Sequence, residues 1–204
     1  MNIPNQLTIL RVLMVPAFIA CLLYIPNAAV CGFVTAGVFL LTSLTDMLDG
    51  KIARKYNMVT NFGKFMDPLA DKFMVFAALI TMTVKLFISA EACGATVNDK
   101  VLANVMVWTT AIVVLRELGV TSIRMVCSGT GAGVIAASFF GKAKTVTQVI
   151  AIVVILVEFS LNKGFGLPTY WIASYVLIGA MAFMTMASGI DYLKSYWKYI
   201  NPNN

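Results

Sequence analysis

The sequence predicts an all-α integral membrane protein of six transmembrane helices, opened by an N-terminal amphipathic segment and with both termini in the cytoplasm. Three observations carry that prediction. Hydrophobic residues make up 60% of the 204 and charged residues only 12%, against about 45–50% and about 25% in soluble domains. Apolar runs approaching the roughly 17–25 residues that cross a bilayer recur along the whole chain. The links between them are short, so one helical domain over residues 1–204 is expected rather than several.

Residues 1–11 mix Asn2, Pro4, Asn5, Gln6 and Thr8 with isoleucine and leucine, the composition of an amphipathic segment lying at the interface. Asn5, Thr8 and Arg11 recur at three-residue steps and so fall near one face. The first run, 6–24, continues past Arg11, and that basic residue comes too late for the n-region of a signal peptide; a retained helix is expected. Runs 29–48 and 68–88 give the second and third helices, and the acid-rich stretch lies between and into them. Run 101–120 gives the fourth, with Arg116 and Glu117 near its end and Arg124 two turns on. Run 146–159 with its flanks gives the fifth. The sixth, 170–190, carries Gly179, Ala180, Ala182, Ala187, Ser188 and Gly189, small residues that allow close packing. Tyr192, Tyr196, Trp197 and Tyr199 with Lys194 and Lys198 then read as an interfacial belt.

Orientation follows from the basic residues. Twelve of the chain's 15 lysines and arginines sit at the start, in the second and fourth links or in the tail. Only Lys85, Lys100 and Lys163 fall to the other side, offset there by Glu91, Asp99 and Glu158. This bias puts both termini and the acid-rich stretch at the cytoplasmic face of the cell membrane. It also explains the net charge of +6 without nucleic acid, since the basic residues are scattered among apolar runs and form no stripe. Cys21, Cys31, Cys93 and Cys127 have no paired spacing and read as small core residues. The run Ser128-Gly-Thr-Gly-Ala-Gly133 lacks the glycine spacing and the βαβ setting of a dinucleotide fingerprint, and reads as a flexible link.

Four of the nine acids lie between 46 and 71. Asp46, Asp49, Gly50 and Ala53 share one side of a helix, and Gly63, Asp67 and Asp71, each four apart, line a stripe of the next. Two antiparallel helices joined through residues 55–62 would aim four carboxylates at one point. Such a cluster near lipid requires cations. Oxygen-only ligands suit two hard divalent ions, magnesium or manganese, and the chain has no histidine for a zinc site. A metal pair of this kind clamps the oxygens of a phosphoryl displacement, and one of the aspartates is the natural general base. Asp67 before Pro68 would also suit a helix N-cap, yet capping leaves four acids in register with two glycines unexplained.

The spacing Asp46-x-x-Asp49-Gly50-x-x-Ala53-Arg54-x8-Gly63-x-x-x-Asp67-x-x-x-Asp71 is similar, at every fixed position, to the signature of the CDP-alcohol phosphatidyltransferases. Outside it, residues 2–11, the Arg116-Glu117…Arg124 set and Gly141-Lys142-Ala-Lys144-Thr145 resemble members that use glycerol 3-phosphate. The resemblance implies transfer of a phosphatidyl group from CDP-diacylglycerol to glycerol 3-phosphate with release of CMP, by a homodimer of such chains among membrane lipids. It implies metal on Asp46, Asp49, Asp67 and Asp71, with Asp71 also the base. CDP-diacylglycerol would lie on Asp49, Gly50, Ala53, Arg54 and Gly63. Arg116, Arg124, Lys142 and Lys144 form the expected pocket for the acceptor's phosphate. Arg116 and Arg124 lie about 80° apart around a helix, and Glu117 within about 20° of Arg124, so the two arginines are expected to face one cavity with the glutamate holding one of them in place. Lys142 and Lys144 point about 200° apart, and Lys142 is the one expected to enter the site. Another acceptor, inositol phosphate or serine, is the nearest alternative. A divalent-cation transporter would place its carboxylates near the midplane of a repeated fold, and no repeat is evident.

Overall fold

The computed structural model describes residues 3–55, 61–92, 94–129 and 139–200, excluding the side chains of 3–7, 46–55, 61–65, 67, 68, 71, 126, 128, 129 and 198–200. Among the described residues there are six α-helices, one π-helical turn and no strand. The helices are α1 (Ile3–Tyr24), α2 (Ala28–Lys55), α3 (Asn61–Glu91), α4 (Val97–Gly129), α5 (Phe139–Phe159) and α6 (Ile172–Ile200), with the π-helical turn Ser160–Gly164 continuing α5. Five of them hold stretches long and apolar enough to cross a membrane, and the apolar stretch of α1, Thr8–Tyr24, is shorter. The chain is a multi-pass membrane protein.

Local chemistry sets the ends. Helix α1 stops ahead of Pro26, and Asn27 caps α2 by accepting the Ala29 backbone N–H at 2.9 Å. Thr96 caps α4 reciprocally: its N–H donates to Asp99 Oδ2 at 2.7 Å and the Asp99 N–H donates back to Thr96 Oγ1 at 3.3 Å. Residues 3–11, expected as a separate interfacial segment, are instead the first turns of α1. Pro4 is compatible with that position, because the first N–H groups of a helix have no internal partner to lose. Helices α2 and α4 both outrun their apolar spans, so the whole of 46–54 is helical and α4 carries Arg124 on regular backbone. Of the expected link at 128–133, residues 128 and 129 are the last of α4, and 130–138 lie outside the described residues.

The six helices close into a ring. Helix α1 packs on α2 and α3, α3 on α4, α4 on α6, α6 on α5, and α5 back on α2. Phe18 and Leu22 of α1, Phe39 of α2, Leu79 and Met82 of α3, Leu102 and Met106 of α4, Ile152 and Ile155 of α5 and Met181 of α6 fill it. Glycine permits the tightest contact. A Cβ on Gly32 would lie 2.1 Å from the Leu156 carbonyl oxygen, and one on Gly164 2.3 Å from Ala29 Cα, so α5 and its π-helical turn lie directly on α2.

One end of the ring is fastened by a buried carboxylate. Asp99 accepts Lys163 Nζ at 2.8 Å and Trp171 Nε1 at 2.8 Å, which ties the start of α4 to the turn between α5 and α6. Nearby, buried Glu158 accepts the Ser174 N–H at 2.8 Å and its hydroxyl at 2.5 Å, holding the first turn of α6.

Candidate active site

At the opposite end, polar side chains replace this packing. Glu117 is buried on α4 and receives two cations: Arg116 Nη1 at 2.9 Å and, from α5, Lys144 Nζ. A carboxylate this far from water is stable only with such partners. The long side chains of Glu117 and Lys144 bridge α4 and α5. Two turns further along α4, Arg124 donates to the Tyr192 hydroxyl of α6 at 2.5 Å. Both guanidinium groups lie over the Tyr192 ring, Arg116 at 5.7 Å and Arg124 at 5.5 Å from its centroid, within cation–π range. Tyr192 in turn stacks on Tyr196 with centroids 5.9 Å apart. Gly189 lets Arg116 lie against α6, since a Cβ there would sit 3.3 Å from Arg116 Cγ.

A second set of contacts joins this group to α3. Lys72, the residue after Asp71, donates to Thr121 Oγ1 at 2.5 Å, and the Thr121 hydroxyl donates to the Glu117 carbonyl oxygen at 2.7 Å. The turn of α3 that carries Asp71 therefore stands beside the turn of α4 that carries Glu117.

The structure thus brings Arg116, Arg124 and Lys144 together and leaves Lys142 exposed on α5. Lys142 was the lysine expected inside; the register of α5 turns Lys144 to Glu117 instead. Glu117 holds one of the two arginines, Arg116, as expected, and Lys144 with it, while Arg124 takes Tyr192. The sequence reading also missed Tyr192 and Tyr196 by assigning them to the interfacial belt; both are buried, whereas Trp197 and Lys194 are exposed as a belt requires. The signal was their spacing, because Gly189, Tyr192 and Tyr196 share one helical face. Thr8 and Arg11 are buried in the bundle, so Arg11 does not reach outward along the lipid face. The side chains of Asn5, Asp46, Asp49, Gly50, Ala53, Arg54, Gly63, Asp67 and Asp71 lie outside the described residues; their backbone is helical, in α1, α2 and α3.

Between these parts runs an apolar groove of about 350 Å³, lined by Arg11, by Phe39, Leu40 and Leu44 of α2, by Met74 of α3, and by Val149 and Ile150 of α5 among others. Leu44 is within one turn of Asp46, and Met74 within one turn of Asp71, so the groove reaches both acid-bearing helices at the turn next to their carboxylates.

The family model for CDP-alcohol phosphatidyltransferase matches residues 1–190. The chain is 36% identical to the CDP-diacylglycerol–glycerol-3-phosphate 3-phosphatidyltransferase of Bacillus subtilis, with 100% of this chain and 99% of that protein covered. It is 34% identical to a probable phosphatidylglycerophosphate synthase of Mycobacterium tuberculosis, over 94% of this chain and 80% of that one. A protein of Haemophilus influenzae with the same name as the Bacillus relative is 33% identical, over 95% and 92%.

Proposed function

The chain belongs to the CDP-alcohol phosphatidyltransferase family, and from that premise we infer that it transfers the phosphatidyl group of CDP-diacylglycerol to glycerol 3-phosphate, giving phosphatidylglycerophosphate and CMP. The observation that carries the choice of acceptor is the convergence of Arg116 and Arg124 on the ring of Tyr192. Two guanidinium groups on one tyrosine ring, with Glu117 beside only the first of them, suit a phosphorylated alcohol. Serine would bring an ammonium group to the same place.

In this reading Arg116, Arg124 and Lys144 hold the acceptor's phosphate and orient its primary hydroxyl. The Lys72–Thr121 contact, which holds the helix of Asp71 beside α4, supports a place for Asp71 near that phosphate, where its carboxylate takes the hydroxyl proton as the oxygen attacks phosphorus. Gly50, Ala53 and Gly63 leave the backbone of α2 and α3 open to the nucleotide, with Asp49 and Arg54 beside it. The apolar groove takes an acyl chain, so the lipid stays in the bilayer while its headgroup reaches the aspartates. A donor set of four carboxylates without histidine fits magnesium or manganese. Two such ions on Asp46, Asp49, Asp67 and Asp71 would supply positive charge to the diphosphate and to the departing CMP.

The same reading has α1 as a sixth span, because Phe18 and Leu22 pack it into the ring beside α2 and α3. Both termini and the site then face the cytoplasm from the inner membrane, as the basic residues favour, in one domain over residues 1–204. Family resemblance supports a homodimer. Purified protein incubated with labelled CDP-diacylglycerol, magnesium and a panel of glycerol 3-phosphate, inositol phosphate and serine tests the assignment. CMP release with glycerol 3-phosphate is expected; no release with any acceptor rejects an enzyme.

A further inference from the structure

Below the Arg116–Glu117–Lys144 group lie two buried polar side chains that the reaction as described does not use. Gln148 is 2% exposed and Thr185 is fully buried. Neither Gln148 Nε2 nor Thr185 Oγ1 has a hydrogen-bond partner, and buried Arg116 Nε has none either. Buried polar atoms are ordinarily paired, so three unpaired ones in a single region call for a cause.

Register places them together. Gln148 follows Lys144 by four residues on α5, hence on the same face and about 6 Å further along the axis. Thr185 precedes Gly189 by four residues on α6, and Gly189 is where Arg116 lies against that helix. Helix α5 runs away from the site end and α6 runs toward it, so both residues sit one turn deeper than the charged group. Arg116, on α4, lies one turn above them, against Gly189 and the Tyr192 ring. The three atoms come from three helices, α6 packing on both α4 and α5, and their chemistry matches: each can donate a hydrogen bond.

We propose that Gln148 and Thr185 form the floor of the acceptor site and, with Arg116 Nε, donate hydrogen bonds to the phosphate oxygens of the acceptor. This rests on the reading of glycerol 3-phosphate as acceptor and names the residues that select it. A phosphate monoester accepts hydrogen bonds at every unesterified oxygen, so it can satisfy three donors at once. An unphosphorylated alcohol, or an acceptor bearing an ammonium group, would leave donors facing donors or facing nothing. The two neutral side chains therefore contribute selectivity that the arginines alone do not, because a guanidinium also attracts other anions.

Steady-state kinetics on purified enzyme with CDP-diacylglycerol and magnesium test this. Gln148→Met and Thr185→Val should each raise the KM for glycerol 3-phosphate roughly tenfold, the effect of one lost hydrogen bond to a charged group. The KM for CDP-diacylglycerol should stay within about twofold. Thr185→Ser should restore the glycerol 3-phosphate KM, and Gln148→Glu, which sets an anion beside the phosphate, should raise it further than Gln148→Met. Glycerol 3-phosphate should also raise the melting temperature of the wild type more than that of either variant, a readout independent of turnover. Unchanged KM values and equal thermal shifts, with wild-type turnover intact, would overturn the floor and leave the acceptor assignment standing; a lower melting temperature alone would then mark a packing role. Wild-type enzyme that releases CMP only with a different alcohol would overturn the acceptor assignment and this inference with it.

Discussion

Removing the charge of Glu117 should destabilise the protein more than removing either cation, and a second substitution should partly reverse the loss. Glu117 receives Arg116 at 2.9 Å and Lys144 on the same oxygen, and the Arg116 and Glu117 side chains are each only 11% exposed. Breaking a buried pair from one side typically costs about 3–5 kcal/mol, since the remaining charge is left without compensation. Glu117→Gln leaves two cations in that state, and we expect a loss of about 3 kcal/mol. Arg116→Met removes a charge-assisted bond but also a desolvated charge, while Lys144 still neutralises Glu117; about 1 kcal/mol is expected. In the double variant the stranded guanidinium is gone, so it should be more stable than Glu117→Gln alone, with a coupling of about 2 kcal/mol. At roughly 2–4 °C per kcal/mol for a chain of this size, the three variants should melt about 6–12, 2–4 and 4–8 °C below the wild type. Cys31 and Cys127 are buried, so a thiol-reactive fluorophore reports the unfolding in detergent. A double variant that melts below Glu117→Gln would refute the reasoning, because it would mean that the two groups stabilise independently.

Three other outcomes follow from the geometry. Asp99→Asn loses the ion pair to Lys163 and weakens the bond to Trp171, so melting should fall by about 4–8 °C. Both KM values should hold, since Asp99 stands roughly 26 Å along α4 from Arg116; a changed glycerol 3-phosphate KM would contradict the separation of the two ends. Gly32→Ala should cost about 3 kcal/mol or more through its clash with the Leu156 carbonyl, whereas Gly37→Ala, with nothing within 4 Å of a new Cβ, should be neutral or stabilising by up to about 1 kcal/mol; equal melting of the two would show that α2 and α5 are not in close contact. Chelation with EDTA should stop CMP release and added magnesium or manganese restore it, while Asp71→Asn should depress turnover far more than CDP-diacylglycerol binding; full turnover in that variant removes Asp71 from the base role.

What the sequence disclosed and what it withheld separate along a physical line. Apolar runs located the helices, because hydropathy depends on composition alone. Hydropathy alone ends α2 near 48 and α4 near 120; the helical spacing of Asp46, Asp49, Gly50 and Ala53, and of Arg116 and Arg124, carries both further, as the structure has them. The convergence of Arg116 and Arg124 could be read from a helical wheel, and the Tyr192 ring confirms that both side chains turn to the same neighbour. The same wheel gave Glu117 one arginine to hold and left open which. The roughly 10 Å of axial rise between Glu117 and Arg124 decides for Arg116, and a lysine from another helix joins it. The choice of Lys144 over Lys142, and the burial of Tyr192, depend on how α5 and α6 are rotated within the ring, which no single helix encodes.

The ring also explains why the chemistry sits at one end. Its helices form three hairpins, α1–α2, α3–α4 and α5–α6, each closed by a short link. The contacts of Ala29 with Gly164 and of Asp99 with Lys163 and Trp171 put the three links at the same end, where close backbone packing and a buried carboxylate hold the hairpins together. At the other end the hairpins meet through long side chains: Lys72 to Thr121, Lys144 to Glu117, Arg124 to Tyr192. Long polar side chains hold helices further apart than glycine contacts do, so the two ends are joined by different means, backbone contact at one and charged side chains at the other. An enzyme that joins a lipid-borne diphosphate to a water-borne phosphate needs that asymmetry. The closed end fixes the relative rotation of the six helices, and the register of α4, α5 and α6 at the other end, on which the proposed phosphate contacts depend, is set from about 26 Å away along α4.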